Sequence, residues 1–67
     1  MNVQKLRGKM TEMMVTQADL AEATGLNRST INRKLKTGED FTVKEANIIA
    51  DLLQLTADEA MIIFFNR

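Results

Sequence analysis

Apolar residues return along this chain every three or four positions, and no run alternates apolar with polar. That period belongs to helices that bury one face, and nothing carries the two-residue period of a strand. Val3, Leu6, Met10, Met13 and Met14 predict a first helix over residues 2–14, with Gly8 inside it. Leu20, Ala21 and Ala23 mark the apolar face of a second. Thr16 opens that helix as an N-cap, with Asp19 three residues on as its capping-box partner. Gly25 suits the positive φ that ends a helix sharply, and Leu26 returns to the core. Asn27 is then expected to cap a third helix, with Ile31 and Leu35 as its buried i, i+4 stripe. Gly38 lies near the end of that helix, and Phe41 is placed to plug the core. The pairs Thr42–Glu45 and Thr56–Glu59 repeat the capping box and open helices over residues 43–53 and 57–65. Ala46, Ile49, Ala50 and Leu53 form the core stripe of the fourth. The expected class is all-α, five helices in one domain over residues 1–67, with no proline, linker or repeat.

The polar positions of the third helix carry the candidate chemistry. Opposite Ile31 and Leu35 lie Arg28, Ser29, Asn32, Arg33 and Lys36. Two short helices joined by a glycine turn over residues 16–36 form a helix-turn-helix, whose second helix enters the major groove of DNA. Its first-turn residues, here Arg28 and Ser29, meet the base edges. An arginine donates two hydrogen bonds to guanine O6 and N7. Asn32, four residues after Arg28, shares nearly the same face, while Arg33 lies about 140° around. Arg28, Ser29, Asn32 and Arg33 are therefore the candidate base contacts.

Thr16-Gln17, Leu20-Ala21, Gly25 and Ser29-Thr30-Ile31 together resemble the helix-turn-helix of the phage repressor and Cro family. The resemblance covers nearly the whole chain and implies a five-helix, lambda repressor-like DNA-binding domain. It implies that Gln17, at the start of the second helix, meets a phosphate and steadies Arg28. It also implies phosphate contacts around the loop after the third helix, from Lys36, Thr37, Thr42 and Lys44, and Asn27 at the helix start is set with them. One position departs from the family pattern. Its second buried apolar residue falls three positions after the isoleucine, where this chain has Lys34, and Leu35 follows.

Composition sharpens the choice of function. The chain has no histidine and no cysteine, which removes the commonest general base, the commonest metal ligand and any disulfide framework. No enzyme, metal or cofactor is expected, and no small-molecule substrate. The longest apolar run, Ala60-Met61-Ile62-Ile63-Phe64-Phe65, is far too short to span a bilayer, and a soluble cytoplasmic protein away from membranes is expected. Net charge is zero, yet it is unevenly spread. Residues 1–36 hold seven Lys and Arg against three Asp and Glu, a balance of +4; residues 37–67 hold two against six, a balance of −4. A basic half that coincides with the motif suits phosphates, although ordinary solvated helix faces give the same count.

The fifth helix carries more apolar groups than one face can hold. Ile63 and Phe64 are assigned inward. Met61, Ile62 and Phe65 are left for a two-fold dimer seam, unless the helix packs unusually deeply between the first and fourth. The expected function is a sequence-specific regulator of the phage repressor or Cro type. It binds a palindromic double-stranded DNA operator as a homodimer. The other reading is a protein-interaction module of the same fold, an antitoxin or antirepressor. Two arginines and two small polar residues on one exposed helix face favour the first.

Overall fold

The structure is a computed structural model and describes residues 1–65. Five helices follow in order: α1 (Val3–Glu12), α2 (Gln17–Thr24), α3 (Arg28–Thr37), α4 (Val43–Leu52) and α5 (Ala57–Ala60). The last widens directly into one π turn, Met61–Phe65. No strand occurs among the described residues, and the architecture is the all-α, five-helix arrangement expected from the pattern.

Side chains define the helix starts. Asn2 Oδ1 accepts from the Lys5 N–H at 3.0 Å and opens α1. Thr16–Asp19, Thr42–Glu45 and Thr56–Glu59 each close a full reciprocal box. In each, the hydroxyl accepts from the third helical N–H and the carboxylate accepts from the threonine N–H. Asn27 departs from expectation. It occupies the N-cap position of α3 with extended backbone, but its side chain makes no cap bond. Its carbonyl accepts from the Ile31 N–H at 3.1 Å, while the first N–H groups of α3 are left for solvent or a ligand.

The ends are left-handed. Gly25 (φ 78°) and Gly38 (φ 77°) close α2 and α3 and donate to the Ala21 and Lys34 carbonyls. Met14 (φ 58°) and Gln54 (φ 54°) do the same after α1 and α4 without the help of a glycine. In both, the next N–H reaches back five residues: Val15 to the Met10 carbonyl at 2.8 Å and Leu55 to the Ala50 carbonyl at 2.9 Å. Val15 and Leu55 then pack against the core. Met14 consequently does not belong to the apolar stripe of α1. The reversal hands the inward position to Val15 and leaves Met14 87% exposed.

Leu6, Leu20, Ile31, Leu35, Ile49, Leu53 and Ile63 are sealed from solvent, so α1 to α4 and the π turn contribute to one core. α2 packs on both α3 and α4, with small Ala21 and Ala46 buried in that region. Ala23 falls outside it and is exposed, because two positions after Ala21 place it about 200° around the helix. Phe41 meets Phe64 edge-on, ring centroids 6.3 Å apart. The C-terminal turn is further held by the Asn2 N–H, which donates to the Ile63 carbonyl, and by Lys9 Nζ, 2.8 Å from Glu59 Oε2. Lys9 is thus an interhelical clamp rather than a plain surface charge.

Candidate nucleic-acid interface

α2 and α3 are set by the left-handed Gly25 and by Leu26, which packs on the core from the turn between them. With Ile31 and Leu35 buried, the opposite face of α3 is turned outward. Arg28 and Ser29 stand exposed on its first turn. Asn32 is half-buried, and its Nδ2 donates to Gln17 Oε1 at 3.3 Å across the helix pair. The brace from Gln17 therefore reaches Asn32 and not Arg28, the partner that the family resemblance implied. Asn32 lies one turn further along α3, where its short amide meets the start of α2. No hydrogen bond ties Arg28 to Gln17, and the arginine keeps its donors for a ligand.

Arg33 is exposed but occupied. Its Nη2 donates to Glu39 Oε2 at 3.1 Å. Lys34 Nζ reaches the same oxygen at 3.0 Å and the Asp40 carbonyl at 2.9 Å. The two cations hold the Glu39 carboxyl below the usual carboxylate range, Lys34 contributing most. Thr37 Oγ1 donates to the Arg33 carbonyl and accepts from the Glu39 N–H, which fixes the chain as it leaves α3. Thr42 Oγ1 serves the α4 cap. Asn27, Lys36 and Lys44 are exposed, and Arg28, Lys36 and Lys44 have no ion pair among the described residues.

At the departure from the family pattern the structure shows which residue is buried. Leu35 takes the buried place at 2% exposure. The Lys34 side chain is itself only 11% exposed, because its aliphatic stem lies along the core edge while the ammonium reaches out to Glu39. Leu35 is thus fully inward, and the Lys34 methylene groups pack at the core edge beside it.

Glu39 is the site residue that side-chain chemistry alone did not single out. The signal was present in the spacing. Gly38 reverses the chain, so a carboxylate one residue later returns to cations five and six positions earlier. Among the described residues, no group of His, Cys, Asp and Glu is arranged to hold a metal, and no helix is long and apolar enough to cross a membrane.

The exposed turn of the C-terminus completes the picture. Ile63 and Phe64 face inward, while Met61, Ile62 and Phe65 are 57%, 38% and 40% exposed. No curated protein and no solved structure matches the chain significantly. The family model for the Cro/C1-type helix-turn-helix DNA-binding domain matches residues 5–65, from within α1 to the end of the π turn. The chain belongs to the Cro/C1-type helix-turn-helix DNA-binding domain family, and DNA is its partner.

Proposed function

We propose that the chain is a transcriptional regulator of the phage repressor and Cro kind, which lays α3 in the major groove of a palindromic operator. The observation that carries this reading is the outward face of α3. Arg28 and Ser29 are exposed on the first turn, and Asn32 is held by Gln17 one turn later. First-turn residues of such a helix meet base edges, and the N-terminus of the preceding helix meets the backbone. Arg28 and Arg33 would read bases with Ser29 and Asn32. Gln17, Asn27, Lys36, Thr37, Thr42 and Lys44 would position the duplex through its phosphates. The protein binds rather than catalyses, and it works in the cytoplasm on double-stranded DNA.

A homodimer follows from the same reading. The exposed Met61, Ile62 and Phe65 form an apolar turn that a second copy would cover. Joined across a two-fold axis, two recognition helices sit about 34 Å apart, one turn of DNA. The seam can be weak, because an operator with two half-sites assembles the pair by mass action.

The test is a binding titration of the wild type and of Arg28→Ala on a duplex selected from a random pool and on a random-sequence duplex. Arg28→Ala should lose about 1–3 kcal/mol on the selected duplex and relax the preference at one base pair. Wild-type log K should fall against log salt with a slope of about −5 if a dimer neutralises roughly six phosphates. Equal losses on both duplexes demote Arg28 to a phosphate contact. A wild type that binds no duplex returns the fold to protein interaction.

A further inference from the structure

We propose that Glu39 is a specificity-determining residue: it holds Arg33 so that the guanidinium engages a neutral base edge readily and a bare phosphate poorly. The inference rests on the reading that α3 enters the major groove.

Arg33 and Glu39 meet through one contact, Nη2 to Oε2 at 3.1 Å, with side chains 55% and 49% exposed. A pair so open to water is weak and exchangeable. The carboxylate is nevertheless kept in place from elsewhere. Lys34 grips the same oxygen at 3.0 Å while anchored on the Asp40 carbonyl, and the Glu39 N–H donates to Thr37 Oγ1. Glu39 therefore stays beside the recognition helix whichever way Arg33 turns.

The consequence differs for the two kinds of DNA contact. An arginine has five N–H donors in a rigid fork, and Glu39 uses one nitrogen of it. At a guanine edge the remaining donors can serve O6 and N7 while the carboxylate still backs the guanidinium. The base edge is neutral, so Glu39 meets no opposing charge there. At a phosphate the same carboxylate faces a second anion across the same cation. Arg33 then exchanges one oxyanion for another, and the approach of Glu39 to the DNA backbone is repelled. Sequence-independent binding comes essentially from such phosphate contacts, so Glu39 lowers the background more than the specific affinity.

Glu39→Gln tests this. The amide keeps the size and an acceptor for Lys34 but removes the charge. The variant and the wild type are titrated on a random-sequence duplex and on a duplex selected from a random pool, across a salt series. Glu39→Gln should bind the random duplex about tenfold more tightly at low salt, with a salt slope steeper by about 0.9, one more phosphate neutralised. The selected duplex should gain about threefold or less, so the specificity ratio falls. In an Arg33→Gln background, where Glu39 keeps Lys34, the same substitution should change neither duplex.

Three outcomes overturn the proposal. Random-duplex affinity and slope can stay unchanged, both duplexes can gain equally, or the gain can survive in the Arg33→Gln background, which would assign it to general loss of negative charge. A wild type without duplex binding sinks the major-groove reading and this proposal together. A wild type that discriminates, beside a Glu39→Gln variant that discriminates equally, sinks this proposal alone. Melting curves confirm that each variant is folded before it is titrated.

Discussion

The ammonium of Lys34 lies 5.5 Å from the centroid of the Phe41 ring, across the turn between α3 and α4. The lysine therefore belongs to the packing that joins these helices, while Leu35 beside it is the true core residue. Leu35→Ala should destabilise the fold by about 2–5 kcal/mol, a large share of what a domain this small possesses. Lys34→Ala should cost about 1 kcal/mol, from lost stem packing and the lost cation–ring contact. Urea denaturation of both variants decides the phase of α3. A larger loss at Lys34 than at Leu35 would mean that the lysine is the inward position.

Gly8 and Gly25 should respond to alanine with opposite signs. A Cβ at Gly8 meets nothing within 4 Å, and the residue sits inside α1 with ordinary helical backbone. Gly8→Ala should therefore raise stability by about 1 kcal/mol. Gly25 also has room, but its φ of 78° is left-handed, and Gly25→Ala should lower stability by about 1–2 kcal/mol. Thermal melts of the two variants check both signs. A loss at Gly8 would show that α1 needs that position bare for a partner.

Acid should weaken the clamp between α1 and α5. Lys9 holds the Glu59 carboxyl down to about 2, helped by the Thr56 N–H, against an ordinary value of 4.5. A carboxyl whose folded pKa is lowered stabilises the fold above its unfolded value and loses that contribution as pH falls towards the folded one. The loss from Glu59 should run from about pH 4.5 down to about pH 2. Asp19 and Glu39, also lowered, act with the same sign. Wild type and Glu59→Gln should differ most in denaturation midpoint near neutrality and converge in acid. A gap that persists unchanged to low pH would mean that Glu59 works by packing and not by charge.

Phe65→Asp should leave a folded monomer whose operator binding is weaker and less cooperative. Phe65 is 40% exposed beside Ile62, and an aspartate there places a charge on each side of a two-fold seam. Sedimentation of wild type and variant, with and without operator duplex, is the measurement. A wild type that stays monomeric throughout, binds one independent site and is unaffected by the substitution removes the dimer.

Much of the fold could be read in residues close together along the chain. Three threonine–carboxylate boxes, two glycine stops and apolar stripes at helical spacing marked where helices begin, end and face. These signals act over three to six residues, within reach of local hydrogen bonds and one helical turn. The outward positions of α3 were legible in part for the same reason: burying Ile31 and Leu35 turns Ser29 and Arg33 away from the core. Arg28, three and seven residues before Ile31 and Leu35 and on their side, is exposed because it lies in the first turn, at the end of the helix.

The remaining relationships lie between elements and were set by how the helices pack. The amide of Gln17 could have met either Arg28 or Asn32, and the packing of α2 on α3 chose Asn32. Lys9 is an ordinary surface lysine until α5 brings Glu59 to it. Met14 keeps helical spacing in the sequence, yet a left-handed turn without glycine puts Val15 in its place. Glu39 is one acid among nine until Gly38 folds it back onto Arg33 and Lys34. In each case a polar or flexible side chain had several partners of equal chemistry. Only the crossing of helices, set by how large and small apolar groups fill the core, determined which of them it meets.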